Sequence, residues 1–245
     1  MAFTPAEVER YARHLVLREI GGPGQQALKG ASVLMVGAGG LGAPAALYLA
    51  AAGVGRIGLA DPDVVALSNL QRQVLYATGD VGEGKTAVAA ARLSALNPDI
   101  VIETHPKAVT AENAESLIAG YDLVLDGTDD FATRFAVSDA CVTTGKTLVS
   151  GAIARWTGQI GVFSGQPCYR CLVPEIPPDA DTCSTVGVVG ALGGVIGSMM
   201  ALEAVKVITG AGEPLSGRLL IYDGLAGETR TVRIGADPDC PTCGA

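Results

Sequence analysis

The chain has 245 residues, of which 49% are hydrophobic and 17% charged, with a formal net charge of −8 and a pI near 4.7. That length supports one large α/β domain with an ample core and leaves no room for a second full domain. The acidic balance offers no field to a phosphodiester backbone, so nucleic acid is set aside as a partner. No apolar run behind a positive flank opens the chain, and the protein reads as cytoplasmic.

In chain order, residues 1–30 form an N-terminal arm expected to be helical. Helix and strand signals then alternate over 31–150, the pattern of a mostly parallel sheet with helices on both faces. Strands are predicted at Ser32 to Val36, Arg56 to Ala60, Ile100 to Thr104, Asp122 to Asp126 and Thr147 to Ser150. Helices are predicted at Leu41 to Ala52, Gly84 to Leu96, Ala111 to Ala119 and Ala132 to Thr144, with Pro98 forbidding continuation of the second. Over 151–245 the pattern shifts to period two at Gly158 to Phe163, Arg218 to Tyr222 and Glu228 to Ile234, which predicts antiparallel strands extending the same sheet.

Pro174 to Thr185 holds three prolines, three acidic residues and one cysteine, a composition suited to a surface loop. Ser184 to Leu202 is uncharged, but five glycines between Gly187 and Gly197 and the following Glu203 and Lys206 favour a buried helix over a membrane span. Its Gly190 to Gly194 spacing is that of close helix packing.

Gly37-Ala-Gly39-Gly40-Leu-Gly42 sits between the first strand and the first helix, where backbone N–H groups can approach a phosphate. Asp61 ends the second strand, about 20 residues past the last glycine, where a carboxylate accepts from a ribose hydroxyl pair. Alone, this describes an NAD-binding dehydrogenase, which stands as the first rival. Against it, Ser68-Asn69-Leu70-Gln71-Arg72-Gln73 is a polar insertion where an ordinary dinucleotide unit would continue. Arg72 and Lys85 add positive charge suited to a triphosphate attacked at its α-phosphorus.

Asp126-Gly127-Thr128-Asp129-Asp130 lies at the carboxyl end of the fourth predicted strand, the edge where open α/β sheets bind ligands. Mg²⁺ takes one or two carboxylates plus phosphate oxygens, and Asp129 is the chosen ligand. Asp130 and Asp126 serve equally well as helix N-cap and turn acceptor. Cys168-Tyr-Arg-Cys171 and Cys240-Pro-Thr-Cys243 are two CxxC pairs that together read as one structural Zn²⁺ site tying the C-terminal segment onto the sheet extension. Cys141 falls in an apolar helical pattern. Cys183, in the proline-bearing loop, is either a reactive thiol or an incidental surface cysteine.

Taken in order, Arg10-Tyr-Ala-Arg13, Gly37 to Gly42, Asp61, Ser68 to Gln73, Lys85, Asp126 to Asp130 and the two CxxC pairs resemble the MoeB/ThiF family, bacterial relatives of ubiquitin-activating enzymes. The resemblance implies a homodimer binding ATP and Mg²⁺, with Gly40 and Asp61 around the nucleoside and Asn69, Arg72 and Lys85 toward the phosphates. Asp129 would hold magnesium, and Arg13 would reach the γ-phosphate from the other subunit. It also implies an adenylyltransferase that activates the terminal Gly-Gly carboxylate of a ubiquitin-like sulfur carrier, with a separate sulfurtransferase completing the thiocarboxylate. MoaD, for molybdenum cofactor, is favoured as that carrier over ThiS, for thiamine thiazole. A scaffold that binds such a tail without chemistry is a further alternative. Gly127 departs from the cysteine usual there. The nucleophile in this chemistry arrives ionised on the partner, so no general base is needed, and neither His14 nor His105 is placed as one.

Overall fold

The computed structural model describes residues 3–176 and 186–244. One eight-stranded sheet runs in the order β3-β2-β1-β4-β5-β6-β7-β8. Its strands are β1 (Ser32–Val36), β2 (Arg56–Ala60), β3 (Val101–His105), β4 (Leu123–Asp126), β5 (Thr147–Ala154), β6 (Thr157–Phe163), β7 (Arg218–Asp223) and β8 (Glu228–Arg233). The first five are parallel and the remainder continue antiparallel. The fold is therefore α/β with a parallel core and an antiparallel extension.

The central strand shows why the sequence makes this sandwich. All five residues of β1 are buried, and alternate side chains enter opposite layers. Val33 and Met35 join Leu49, Ile57 and Leu93 in one apolar cluster, while Leu34 and Val36 join Ile118, Val124 and Phe135 in another. The covering helices in the nucleotide-binding half are α4 (Gly42–Ala52), α5 (Lys85–Leu96), α6 (Ala114–Ile118) and α7 (Phe131–Thr144). They follow α1 (Pro5–Arg10), α2 (Ala12–Leu15) and α3 (Gly21–Gly30) of the N-terminal arm. α1 opens with a capping box between Thr4 and Glu7. α4 and α7 end on left-handed Gly53 and Gly145.

Most expected strand and helix boundaries shift by no more than one residue, and two move further. β5 continues past Ser150 to Ala154 because residues 151–154, beyond the reach of β4, still pair with β6. α6 begins at Ala114 rather than Ala111 because Asn113 Oδ1 accepts from Thr110 N–H at 2.9 Å and holds the preceding residues in a turn.

After the short α8 (Tyr169–Leu172) comes α9 (Gly190–Thr209), long and apolar enough to cross a membrane by composition alone. Here it packs on α4, β5 and β6. Buried Glu203 accepts from Leu215 N–H at 2.8 Å and pairs with Lys206. The close packing differs from the expected Gly190/Gly194 pair. A Cβ on Gly194 would meet open space, whereas one on Gly190, Gly193 or Gly197 would fall 2.0 Å from Gln71 O, 2.7 Å from Gly40 O or 2.5 Å from Leu41 O respectively. The i, i+3, i+7 spacing of these three glycines is that of a single helix face.

Candidate active site

Strand order reverses between β1 and β4, and the crevice at their carboxyl ends is where open parallel sheets hold ligands. A cleft of about 770 Å³ opens there. It is lined by Gly37, Gly39 and Gly40 of the first turn, by Asp61, Asn69, Arg72, Gln73 and Lys85, and by Thr128 to Asp130. Gly37 needs its left-handed φ of +85°, and a Cβ there would press on Thr128 and Gly127. Gly42 starts α4 so close to the turn that an added Cβ would lie 1.8 Å from Gly37 O.

Asp61, 6% exposed, accepts from Ala38 N–H at 2.8 Å and from Asp63 N–H at 2.9 Å. Burial raises its pKa, opposed mainly by the charge of Lys85. Lys85, at the first position of α5 and 5% exposed, places Nζ 2.8 Å from Asp63 and 3.9 Å from Asp61. Arg72 is partly exposed beside Gly40, and among the described residues its guanidinium donates to Ser68 O at 3.1 Å alone. Asn69 accepts from Ala66 N–H at 3.2 Å to shape the insertion. Gln73 is 4% exposed, yet its Oε1 has no hydrogen-bond partner among the described residues. A buried amide oxygen without a partner, on a residue that lines the cleft, fits a polar ligand group there.

Across the cleft, Asp126 is buried and accepts from both Thr128 N–H (2.9 Å) and Thr128 Oγ1 (2.6 Å). Asp130 is the N-cap of α7, accepting from Thr133 N–H at 2.8 Å, so it takes the capping role of its two readings. Asp129 is exposed on the cleft and accepts no hydrogen bond among the described residues, which leaves its oxygens for a hard cation and phosphate-bound water. Sequence reasoning missed Arg134. This buried guanidinium donates to Thr128 O, Gly151 O (2.7 Å) and Ser150 Oγ (3.2 Å), and lies 3.8 Å from Asp126 Oδ2. It fixes the turn that presents Asp129. An arginine in the first turn of a helix that also begins with an Asp N-cap was the available signal.

Other expected site residues stand behind the cleft wall. Ser68 is exposed and offers its carbonyl to Arg72, Leu70 packs on the core, and Gln71 faces Gly190. The polar insertion is thus half ligand wall and half scaffold. Arg13 is exposed on α2 and does not line the cleft of its own chain. Neither histidine lines it, for His14 faces Gln25 and His105 faces Tyr121. Cys183 lies outside the described residues.

The four cysteines of the two CxxC pairs converge, with all Sγ atoms within 4.8 Å of one another. Tetrahedral zinc at about 2.3 Å from each sulfur separates the sulfurs by about 3.8 Å, so the set fits that ion. Burial pushes the Cys168 thiol up. At Cys240 burial is outweighed by N–H donation from Cys243 and Thr242, which brings the thiol down to about 7. The cluster is docked on α7. Arg170 Nε and Nη2 each lie 2.8 Å from the Asp139 carboxylate, to which Thr242 also donates at 2.7 Å.

A model described as the ThiF family matches residues 11–242. The chain belongs to the ThiF family. Among its relatives, a sulfur carrier protein adenylyltransferase of Thermus thermophilus is 50% identical over all of this chain and 93% of its own length. The adenylyltransferase and sulfurtransferase MOCS3 of Dictyostelium discoideum is 48% identical over 98% of this chain, which spans only 58% of that longer protein. Among solved structures, E. coli MccB with MccA-N7isoASN superposes with a TM-score of 0.85 over 97% of this chain and 75% of its own, at 22% identity, and so shares the fold. This ThiF-family chain is an adenylyltransferase.

Proposed function

We propose that the protein transfers AMP from ATP to the C-terminal glycine carboxylate of a ubiquitin-like sulfur carrier, releasing pyrophosphate. The observation that carries this reading is the pairing, across one cleft, of two cations, Arg72 and Lys85, with an unpartnered carboxylate, Asp129, and without a histidine. Attack on an α-phosphorus needs charge stabilisation and positioning, and an ionised carboxylate needs no base. Hydride transfer would find no use for that arrangement.

In this reading the free N–H groups of the glycine-rich turn and the Gln73 amide meet the nucleotide, and Asp61 accepts from its ribose. Asp129 holds Mg²⁺, which supplies neutralisation of the triphosphate. Arg72 and Lys85 meet the negative charge that builds on the α-phosphate and the departing pyrophosphate. Arg13 reaches the γ-phosphate of a second copy, making the working unit a homodimer. The four-cysteine site holds Zn²⁺ as a structural ion in the reduced cytoplasm. We favour a MoaD-like carrier and molybdenum cofactor synthesis, with sulfur delivered by a separate sulfurtransferase.

The test is exchange of labelled pyrophosphate into ATP, offered MoaD and ThiS separately, each with and without its terminal Gly-Gly. Exchange dependent on the intact tail establishes reversible acyl-adenylate formation, and the better carrier names the pathway. Exchange with neither carrier, together with saturable NADH binding tighter than that of ATP, would replace this reading with the dehydrogenase.

A further inference from the structure

The Ala38 peptide units are held from two sides. Ala38 N–H donates to Asp61 Oδ2 at 2.8 Å, and Ala38 C=O accepts from the hydroxyl of Tyr76 at 2.8 Å. Tyr76 is 5% exposed and does not line the cleft. It closes the polar insertion, just past Gln73, so one element supplies both cleft-facing groups and this buried strut. The other buried partner, Asp61, lies within reach of Lys85.

The Ala38–Gly39 bond is trans, and in a planar trans peptide the C=O and the next N–H point in opposite directions. With the Ala38 carbonyl turned inward onto Tyr76, the Gly39 N–H is turned outward. Gly39 lines the cleft, and its N–H has no protein acceptor among the described residues. Without the tyrosine hydroxyl, this glycine-flanked peptide loses the one hydrogen bond its carbonyl accepts among the described residues and can rotate, which would withdraw the donor from the cleft.

We infer that Tyr76 is a positioning residue that fixes the Ala38–Gly39 peptide so that the Gly39 N–H is presented to a nucleotide phosphate. It touches neither nucleotide nor carrier, and its effect passes through the turn. The inference rests on the nucleotide-binding part of the proposed function and is independent of which carrier is adenylated.

The test compares Tyr76→Phe with the wild-type protein by calorimetric titration of ATP and, separately, of adenosine, with thermal unfolding alongside. Phenylalanine preserves the ring packing, so the expected result is a melting temperature within a few degrees of wild type and adenosine affinity unchanged. ATP affinity falls roughly tenfold, the range of one lost buried hydrogen bond. Equal weakening of ATP and adenosine would show a collapsed turn and overturn the phosphate-specific role, as would ATP affinity unchanged from wild type. If Tyr76→Phe unfolds, the ATP-to-adenosine affinity ratio of Tyr76→His, which restores a buried donor, decides by the same comparison. A wild-type protein that binds adenosine and ATP equally would overturn the phosphate site itself, whereas ATP binding without pyrophosphate exchange would overturn only the adenylation reading.

Discussion

Lys85 Nζ sits 2.8 Å from the Asp63 carboxylate and 3.9 Å from that of Asp61, so a nearly buried ammonium is held at the mouth of the cleft by two acids of different exposure. Lys85→Met is expected to lower pyrophosphate exchange by about 10²–10³-fold, the scale of removing one pre-organised donor from a developing negative charge. Steady-state exchange kinetics at saturating ATP check this, and a change confined to KM would contradict it.

The same geometry sets a pH dependence. Burial raises the Asp61 pKa in the folded state above its ordinary value, despite Lys85. The group therefore binds its proton more readily folded than unfolded. Stability is full below the ordinary carboxylate range and is lost as pH rises through the raised value. Asp61→Asn, which removes that ionisation, should gain in melting temperature relative to wild type as pH increases from about 3.5 to 7. Melting temperatures of both proteins across that range give the sign directly, and parallel curves would refute it.

Asp129 makes no hydrogen bond among the described residues and is exposed, so Asp129→Asn should leave the melting temperature within about 1 °C, as surface substitutions do. Exchange should nevertheless fall by about 10²-fold and require more Mg²⁺ for half-maximal rate. A variant with normal magnesium dependence would show that another group holds the ion.

Gly193 and Gly194 are neighbours with opposite surroundings. An added methyl at Gly193 lies 2.7 Å from the Gly40 carbonyl, while the same methyl at Gly194 meets nothing within 4 Å. Gly193→Ala should cost about 1–3 kcal/mol and weaken ATP binding, whereas Gly194→Ala should be neutral or stabilising by up to about 1 kcal/mol. Denaturant unfolding and ATP titration of the pair decide it.

Elemental analysis should find about one zinc per chain, and chelation should lower the melting temperature. Asp139→Ala cuts the anchor to Arg170 and Thr242 without touching a sulfur. It should cost about 1–3 kcal/mol and leave the zinc content unchanged. Loss of zinc in that variant would mean that the anchor also shapes the metal site.

The fold was legible because its signals are local. The five apolar residues of β1, the glycine turn after it and the Asn97–Pro98 stop each act over a few residues. β5 was read short because its last four residues are held by β6, a partner that local pattern does not name. The CxxC pairs were legible as a set, since thiol spacing encodes the metal's geometry. Arg134 and Tyr76 were not, because their roles consist of hydrogen bonds to backbone carbonyls, and any residue type supplies a carbonyl. The glycine face of α9 was misread for a related reason: Gly193 faces the main-chain oxygen of Gly40, and Gly197 faces that of Leu41 together with Pro44 of α4, so another element sets the spacing and not a GxxxG pair.

Those contacts bind three stretches into one heritable unit. Because Gly190, Gly193 and Gly197 lie against backbone oxygens of residues 71, 40 and 41, with the Gln71 side chain and Pro44 pressed on the same face, little room is left to absorb a mismatch. A chimera that exchanges α9 between relatives must therefore bring its own nucleotide turn and polar insertion with it. Sequence drift in any of the three is free only where, as at Gly194, the helix looks the other way.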